Sequence, residues 1–179
     1  IDSTDAITDN TFISAGNDGA AAMDDMLFDV DFAPDYHLIL RRGLGKFDVD
    51  FANLGTGLFT SYEGILNLGT SGFGSTAAGV NTVPIRVAYD NSNVGGVGDG
   101  VGPADQVAAA AATTGVELCI DLADLGTPVA PIKVMAAINN DNHTFLSNQV
   151  LGGLPVDLDG EGLGTNNLGT PTDVEFDLI

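Results

Sequence analysis

Tryptophan is absent from this chain of 179 residues, and cysteine occurs once, as Cys119. A single cysteine cannot close an internal disulfide, and its place in the apolar run 116–120 predicts a buried thiol. The chain has 5 basic residues against 25 acidic ones, a net charge of −20. This charge excludes a duplex nucleic-acid partner, because phosphate binding needs a basic surface. No run of 18 apolar residues occurs, so we expect no membrane span.

Glutamate is also scarce, and every acid other than Glu63, Glu117, Glu161 and Glu175 is an aspartate. Aspartate favours turns and cation-binding loops, whereas glutamate favours helices. The charged fraction is only 17%, below the ~25% of an ordinary domain, so the net charge reflects few basic residues. Two interpretations stay open: the acids keep the surface solvated, or some of them bind divalent cations.

Short apolar or alternating runs, separated by clusters of Gly, Asn and Asp, recur along the chain, which has 24 glycines. This pattern is typical of an all-β protein, and we predict one antiparallel β-sandwich domain of the jelly-roll kind over residues 1–179. One short helix is expected at 104–113, and a further turn at 121–125 that ends at Gly126. The predicted strands are 26–32, 36–40, 47–51, 85–89, 116–120, 132–138 and 174–178, with 59–66 as a candidate interrupted by Gly64.

The alternation within these strands predicts which side chains face the core. In 47–51, for example, Phe47, Val49 and Phe51 lie on one face, and two aspartates lie on the other. The sequence of residues 28–33 recurs unchanged at 47–52, so we predict two similar strands, which could be neighbours in a sheet. The expected inward set is Phe28, Val30, Phe32, Leu38, Leu40, Phe47, Val49, Phe51, Ile85, Val87, Leu118, Ile120, Val134, Ala136 and Ile138.

Signals for catalysis are missing from the sequence. It contains neither a nucleophile elbow nor a zinc-protease motif. Its two histidines, His37 and His143, stand far apart in the chain, which makes a histidine-built metal site improbable. We therefore expect a protein that is not an enzyme.

Calcium is the cofactor that the acidic loops favour, because it binds six to eight carboxylate and carbonyl oxygens. Asp157, Asp159 and Glu161 surround a glycine turn at alternate positions, although the loop lacks the closing acid of an EF-hand. Asp90 and Asn93 form a second candidate site. Residues 139–142 form a third.

Three of the few basic residues, Arg41, Arg42 and Lys46, lie within six positions of one another. They either neutralise the nearby aspartates or form a docking patch for an acidic neighbour, such as another copy of this protein.

Two segments of the chain are similar to known proteins. Residues 116–126, with the strand at 132–138, resemble a strand-and-turn of DOMON-like β-sandwiches related to family 9 carbohydrate-binding modules. Residues 32–36 and 147–155 resemble a group of secreted bacterial proteins that often carry a PEP-CTERM sorting tag. By this resemblance, residues 1–3 would be the tail of a strand, and the upstream strands of the family domain would be missing.

The resemblance implies a non-catalytic module, outside the cell or at its surface, that binds a glycan or another surface polymer. Because the chain has no tryptophan, sugar stacking would fall to Tyr36, Tyr62 and Tyr89 or to phenylalanines. The composition favours an alternative: a structural subunit of an extracellular filament or surface layer that assembles with copies of itself through strand edges.

Overall fold

Strands dominate the regular structure, which confirms the all-β prediction. The structure is a computed structural model that describes residues 1–43, 45–67, 71–92 and 111–151, apart from the side chains of residues 148 and 149. Two short 3₁₀ helices accompany the strands in these ranges. In chain order the elements are η1 (Asn17–Met23), β1 (Tyr36–Gly43), β2 (Lys46–Asn53), β3 (Leu58–Asn67), β4 (Ser71–Ser75), β5 (Arg86–Asp90), β6 (Gly115–Cys119), η2 (Leu122–Leu125), β7 (Ala136–Asn139) and β8 (Leu146–Leu151).

The strands form three antiparallel sheets: sheet I has the order β1-β2-β3, sheet II has β4-β5-β6, and sheet III has β7-β8. Gly64 does not break β3. The pairing of β2 with β3 shifts register between Phe47 and Val49, and Gly64 takes φ +63° opposite this bulge. Its amide donates to the Asp48 carboxylate at 2.5 Å. The glycine thus permits a bulge that lets the strand continue.

Two clusters of buried apolar residues hold the sheets. Cluster A joins sheets I and II and consists of Tyr36, Phe47, Val49, Phe51, Tyr62, Leu66, Ile85, Val87 and Leu125. Cluster B lies against the opposite face of β1 and consists of Phe12, Ala20, Met23, Met26, Phe28, Ile39 and Leu146. The inward positions predicted in β2 and β5 are therefore confirmed. Leu38, Leu118 and Ile120 pack against cluster A while partly exposed, and the arrangement of the sheets as a sandwich stays a prediction.

Strand β4 lies close to β3, and its sequence reflects that contact. A Cβ atom on Gly74 would overlap the carbonyl oxygen of Ile65. Only glycine fits such an approach, which explains why a strand of glycine and serine around Phe73 was not predicted.

The predicted strand at 26–32 is wrong. The Phe32 amide donates to the Asp29 carbonyl at 2.8 Å, and the Asp31 amide donates to the Asp29 carboxylate at 2.9 Å. Asp29 thus initiates a turn that places Val30 in solvent, 81% exposed, instead of in the core. Phe28 and Phe32 still lie on one side, with ring centroids 5.1 Å apart.

Three further predictions about facing are wrong. Leu40 of β1, predicted to face the core, is exposed. In and before β7, Val134, Ala136 and Ile138 are exposed, whereas Met135 and Ala137 pack on cluster B. The inward and outward positions of this segment are thus offset by one residue from the prediction, so its two faces are exchanged.

Cys119 is exposed, not buried. It alternates with the inward-facing Leu118 in β6, and its Sγ lies 3.0 Å from Nη2 of Arg86.

The turn predicted after Asp121 is confirmed, because Asp121 caps η2 by accepting from the Ala123 amide, and Gly126 ends it in the left-handed region. Residues 104–110 of the predicted helix and the predicted strand 174–178 lie outside the described residues.

Candidate functional site

The outer face of sheet II, the face turned away from cluster A, carries an exposed aromatic ring. Phe73 is 88% exposed and pairs with Ala88, which in turn pairs with Glu117 of β6. Asp90 lies on the same face one row away, where it pairs with Ser71. The row of Asp90 and Ser71 therefore lies on one side of the exposed ring, and the row of Ser75, Arg86 and Cys119 lies on the other. The end of this sheet borders a shallow depression.

Asp90 is a predicted calcium ligand. The Ser92 side chain and the Ser92 amide, whose nitrogen lies 2.8 Å from the carboxylate, lower the pKa of Asp90 by hydrogen bonding. Asp90 is therefore ionised at neutral pH, as a cation ligand must be. Its predicted partner Asn93 lies outside the described residues, as do Asp157, Asp159 and Glu161. Among the residues that the structure does describe, no three His, Cys, Asp or Glu side chains are grouped as metal ligands.

The three tyrosines predicted to stack on sugars occupy different environments. Tyr36 is buried and stacks on Phe51 with a centroid distance of 5.6 Å. Tyr62 is buried, and its hydroxyl bonds to Asn81. Burial raises the pKa of both phenols. Only Tyr89 reaches the surface, partly exposed, against Phe47.

The three basic residues predicted at an interface also lie in different environments. Arg41 lies on the cluster B face, where it bonds to Asp18 of η1 at 2.5 Å and to Asp50 of β2 at 2.9 Å. Arg42 points to the other face, 5.9 Å from the Tyr89 ring centroid, and is exposed. Lys46 is exposed beside Gly64. Arg41 thus neutralises aspartates within the chain, whereas Arg42 and Lys46 remain candidates for a docking patch.

A cavity of about 270 Å³ lies between β1 and β7, on the cluster B side. Both histidines of the chain and all of its methionines, Met23, Met26 and Met135, line this cavity. Sequence reasoning missed the meeting of the histidines, because their distance along the chain gave no signal of it.

The two histidines differ in their partners. His143 is buried, with Nδ1 2.6 Å from the Asn139 amide nitrogen and Nε2 3.2 Å from the Asp18 carboxylate. Burial lowers the pKa of His37 to about 3, helped by the Ile1 amine and by His143. The Nδ1 atom of His37 is buried without a hydrogen-bond partner. His37 is therefore a neutral polar group with unused bonding capacity beside an apolar cavity.

Within the described ranges the helices are short 3₁₀ segments, and none of them could span a bilayer. Comparison of the chain with protein-family models, with curated proteins and with solved structures gave no significant match to any of them.

Proposed function

We propose that this protein is a non-catalytic extracellular module that binds a glycan or another surface ligand through the outer face of sheet II. The observation that supports this proposal is the exposure of Phe73, which is the most exposed phenylalanine among the described residues. An aromatic ring in the middle of a strand offers a flat apolar surface on which the apolar face of a sugar ring can lie.

The polar groups around Phe73 suit the hydroxyl groups of a sugar. Glu117 and Asp90 are carboxylates that accept hydrogen bonds, and they lie on the same face as the ring. Bonds between hydroxyl donors and ionised acceptors are stronger than bonds between neutral groups. The face therefore combines a stacking surface with orienting acceptors, which is the usual composition of a specific binding site.

A glycan array followed by calorimetry on the best binder tests this function. Phe73→Ala is expected to weaken binding at least tenfold, because it removes the stacking surface. Phe59→Ala is the matched control, since Phe59 is 43% exposed but lies on β3 in sheet I, and it should leave the affinity unchanged. Absence of binding across the array, or equal effects of the two variants, would refute the proposal.

Calcium belongs to the same proposal. At the millimolar concentrations found outside cells, calcium fills even weak sites, and binding to the folded state would raise the melting temperature. Thermal unfolding is compared in calcium, magnesium and EDTA at constant ionic strength. We expect a rise specific to calcium that Asp157→Ala/Asp159→Ala abolishes. Equal midpoints in the three conditions would leave the acids as solvated surface.

A second function, a structural subunit of an extracellular filament or surface layer that assembles through strand edges, is favoured by a different observation. Strands β1 and β7 are edge strands among the described residues. Leu40 in β1, Ile138 in β7 and Val134 just before β7 are exposed. Edges with exposed apolar side chains favour pairing with another strand. Electron microscopy and light scattering of the purified protein test this function. A monodisperse monomer in both low and high salt would refute self-assembly.

A further inference from the structure

We propose that the depression on the outer face of sheet II selects a glycan with free amino groups, through a slot one sugar ring wide between Phe73 and Glu117. This inference rests on the proposed glycan-binding function and deepens it, because it names the class of sugar that the same face takes. Three residues that pair across the sheet, Phe73, Ala88 and Glu117, form the slot.

The slot has a wall on each side and a small floor. Phe73 of β4 pairs with Ala88 of β5, and Ala88 pairs with Glu117 of β6. Because side chains stand roughly perpendicular to a sheet, the ring and the Glu117 side chain rise on either side of the Ala88 methyl group. All three residues line one depression of about 500 Å³. A larger side chain in place of Ala88 would fill the space between the walls.

The width of the slot fits one sugar ring. Neighbouring strands lie about 4.7–4.9 Å apart, so the backbones of β4 and β6 are roughly 9–10 Å apart. A ring between two walls makes one contact with each of them, and two contacts of about 3.5–4.0 Å take up about 7–8 Å. A second ring would raise this distance to about 11 Å. The slot therefore holds a single ring, with one face on Phe73 and the other towards Glu117.

The charged side chains that line the depression, within the described part of the chain, are both acidic. They belong to Asp90 and Glu117. Hydrogen bonds from the side chain and amide of Ser92 lower the pKa of Asp90, so this carboxylate is ionised at every pH at which an amine is protonated near neutrality. Arg86, in the next row of the same face, bonds through Nη2 to the Cys119 Sγ at 3.0 Å and does not line the depression. A ligand in the slot therefore meets two carboxylates and no cation from these lining residues.

An ammonium group suits these surroundings better than a hydroxyl group does. It carries three N–H donors, and hydrogen bonds between an ionised donor and a carboxylate are the strong kind. A cation is also attracted to the face of an aromatic ring, and Phe73 offers that face at 88% exposure. The net charge of −20 attracts cations from a distance. A sugar acid would be repelled instead, and acetylation of the amine would remove the attraction.

The flat wall of the slot favours a sugar over a lysine side chain. The C–H face of an amino sugar can cover the Phe73 ring while its amine reaches a carboxylate. A lysine side chain is a narrow chain that covers less of the ring. The occupant that the slot favours is therefore an amino sugar, and a basic peptide becomes an alternative outcome of the test.

The test is calorimetry of the intact protein with a tetramer of glucosamine and with the matched tetramer of N-acetylglucosamine. EDTA is present throughout, because Asp90 is also a predicted calcium ligand. The protein variants are Glu117→Gln and Asp90→Asn, which each remove a charge at nearly constant shape, and Ala88→Leu, which fills the slot. Glu63→Gln is the matched control, because Glu63 is exposed on β3 of sheet I.

We expect the glucosamine tetramer to bind at least tenfold more tightly than its acetylated counterpart. Glu117→Gln and Asp90→Asn should each weaken its binding at least fivefold, and Ala88→Leu should weaken it at least tenfold. Glu63→Gln should change the affinity less than twofold. Raising the salt from about 0.05 M to about 0.5 M should weaken the glucosamine tetramer and leave the acetylated one unchanged. Circular dichroism checks that the variants are folded, and the two charge variants decide the outcome if Ala88→Leu does not fold.

Equal affinity for the two tetramers, or equal losses in Glu117→Gln and Glu63→Gln, overturns the inference. Phe73→Ala separates this failure from that of the function on which it rests. If Phe73→Ala weakens the binding of a neutral sugar while a free amine brings no gain, the glycan site stands and the class of sugar is wrong. If no glycan binds, both fail. Tetralysine that binds as tightly as the glucosamine tetramer, with the same loss in Glu117→Gln, overturns the inference in favour of a site for basic peptides.

Discussion

The adjacent arginines of β1 are expected to differ sharply in their contribution to stability. Arg41 binds Asp50, whose side chain is 0% exposed, and also Asp18. Removing one partner of a buried ion pair costs about 3–5 kcal/mol, because the other charge stays buried without compensation. Arg42 is exposed, and its contact with the Tyr89 ring is worth about 0.5–1 kcal/mol. Arg41→Met should therefore lower the free energy of unfolding by several times as much as Arg42→Met.

Urea unfolding followed by circular dichroism measures both free energies, and thermal unfolding provides a second readout. At about 2–4 °C per kcal/mol for a chain of this length, Arg41→Met should lower the melting temperature by roughly 6–20 °C. The change for Arg42→Met should stay below about 4 °C. Adding Asp50→Asn to Arg41→Met should restore part of the loss, since it removes the uncompensated charge. Equal losses for the two arginines, or a further loss on adding Asp50→Asn, would refute this reasoning.

Two other predictions follow from side chains near η2. The Asp124 carboxylate accepts hydrogen bonds from Thr82 and Val83 at 2.7–2.9 Å. Burial raises the pKa of Asp124, but these bonds together lower it by more than burial raises it, so the pKa lies below its usual value. The stabilisation by the ionised Asp124 carboxylate is present above about pH 4 and is lost as the pH falls through the lowered pKa. Asp124→Asn should therefore cost about 1–3 kcal/mol of unfolding free energy at pH 7 and less at pH 2, measured by urea unfolding. An equal cost at both pH values would contradict this. The exposed Cys119 should react with a thiol reagent in the folded protein at a rate comparable to that in urea, whereas protection by folding would mean that the thiol is buried.

The sequence predicted best where a local pattern and its tertiary partners agree. In β2, strict alternation places Phe47, Val49 and Phe51 in cluster A as expected. The turn at η2 was predictable because Asp121 and Gly126 provide both caps within a few residues. These features depend on local geometry that a few residues determine, namely the period of the strand and the capping of a helix end.

The candidate sites were less predictable, because they depend on residues far apart in sequence. His37 of β1 and His143 of the turn between β7 and β8 line one cavity although they belong to different sheets, which no spacing rule indicates. Phe73 is exposed on sheet II in a strand whose neighbouring Gly74 lies against Ile65 of β3, and this contact between distant residues leaves no pattern in the local sequence. Cys119 and the residues around β7 were assigned to the wrong face, since an apolar run without strict alternation does not define its phase.

The repeated hexapeptide gives the sharpest test of how context determines structure. Val30 and Val49 occupy the same place in identical sequences, yet Val30 lies in a turn at 81% exposure and Val49 is buried in the central strand of sheet I. Proline is favoured at the second position of the turn that Asp29 begins, so Val30→Pro should change stability by less than about 1 kcal/mol. Val49→Pro should cost about 3 kcal/mol or more, because it breaks a ladder bond in a central strand.

A gentler pair of variants keeps this comparison measurable if Val49→Pro does not fold. Val49→Ala removes two buried carbons at about 0.8 kcal/mol each, before any cost of the cavity that they leave. Val30→Ala should cost almost nothing, because that side chain is already in water. Urea unfolding of the four variants measures the contrast directly. If the alanine variants destabilise the protein equally, both copies of the hexapeptide are buried to the same extent, and the turn at 29–32 is not the conformation of this segment in solution.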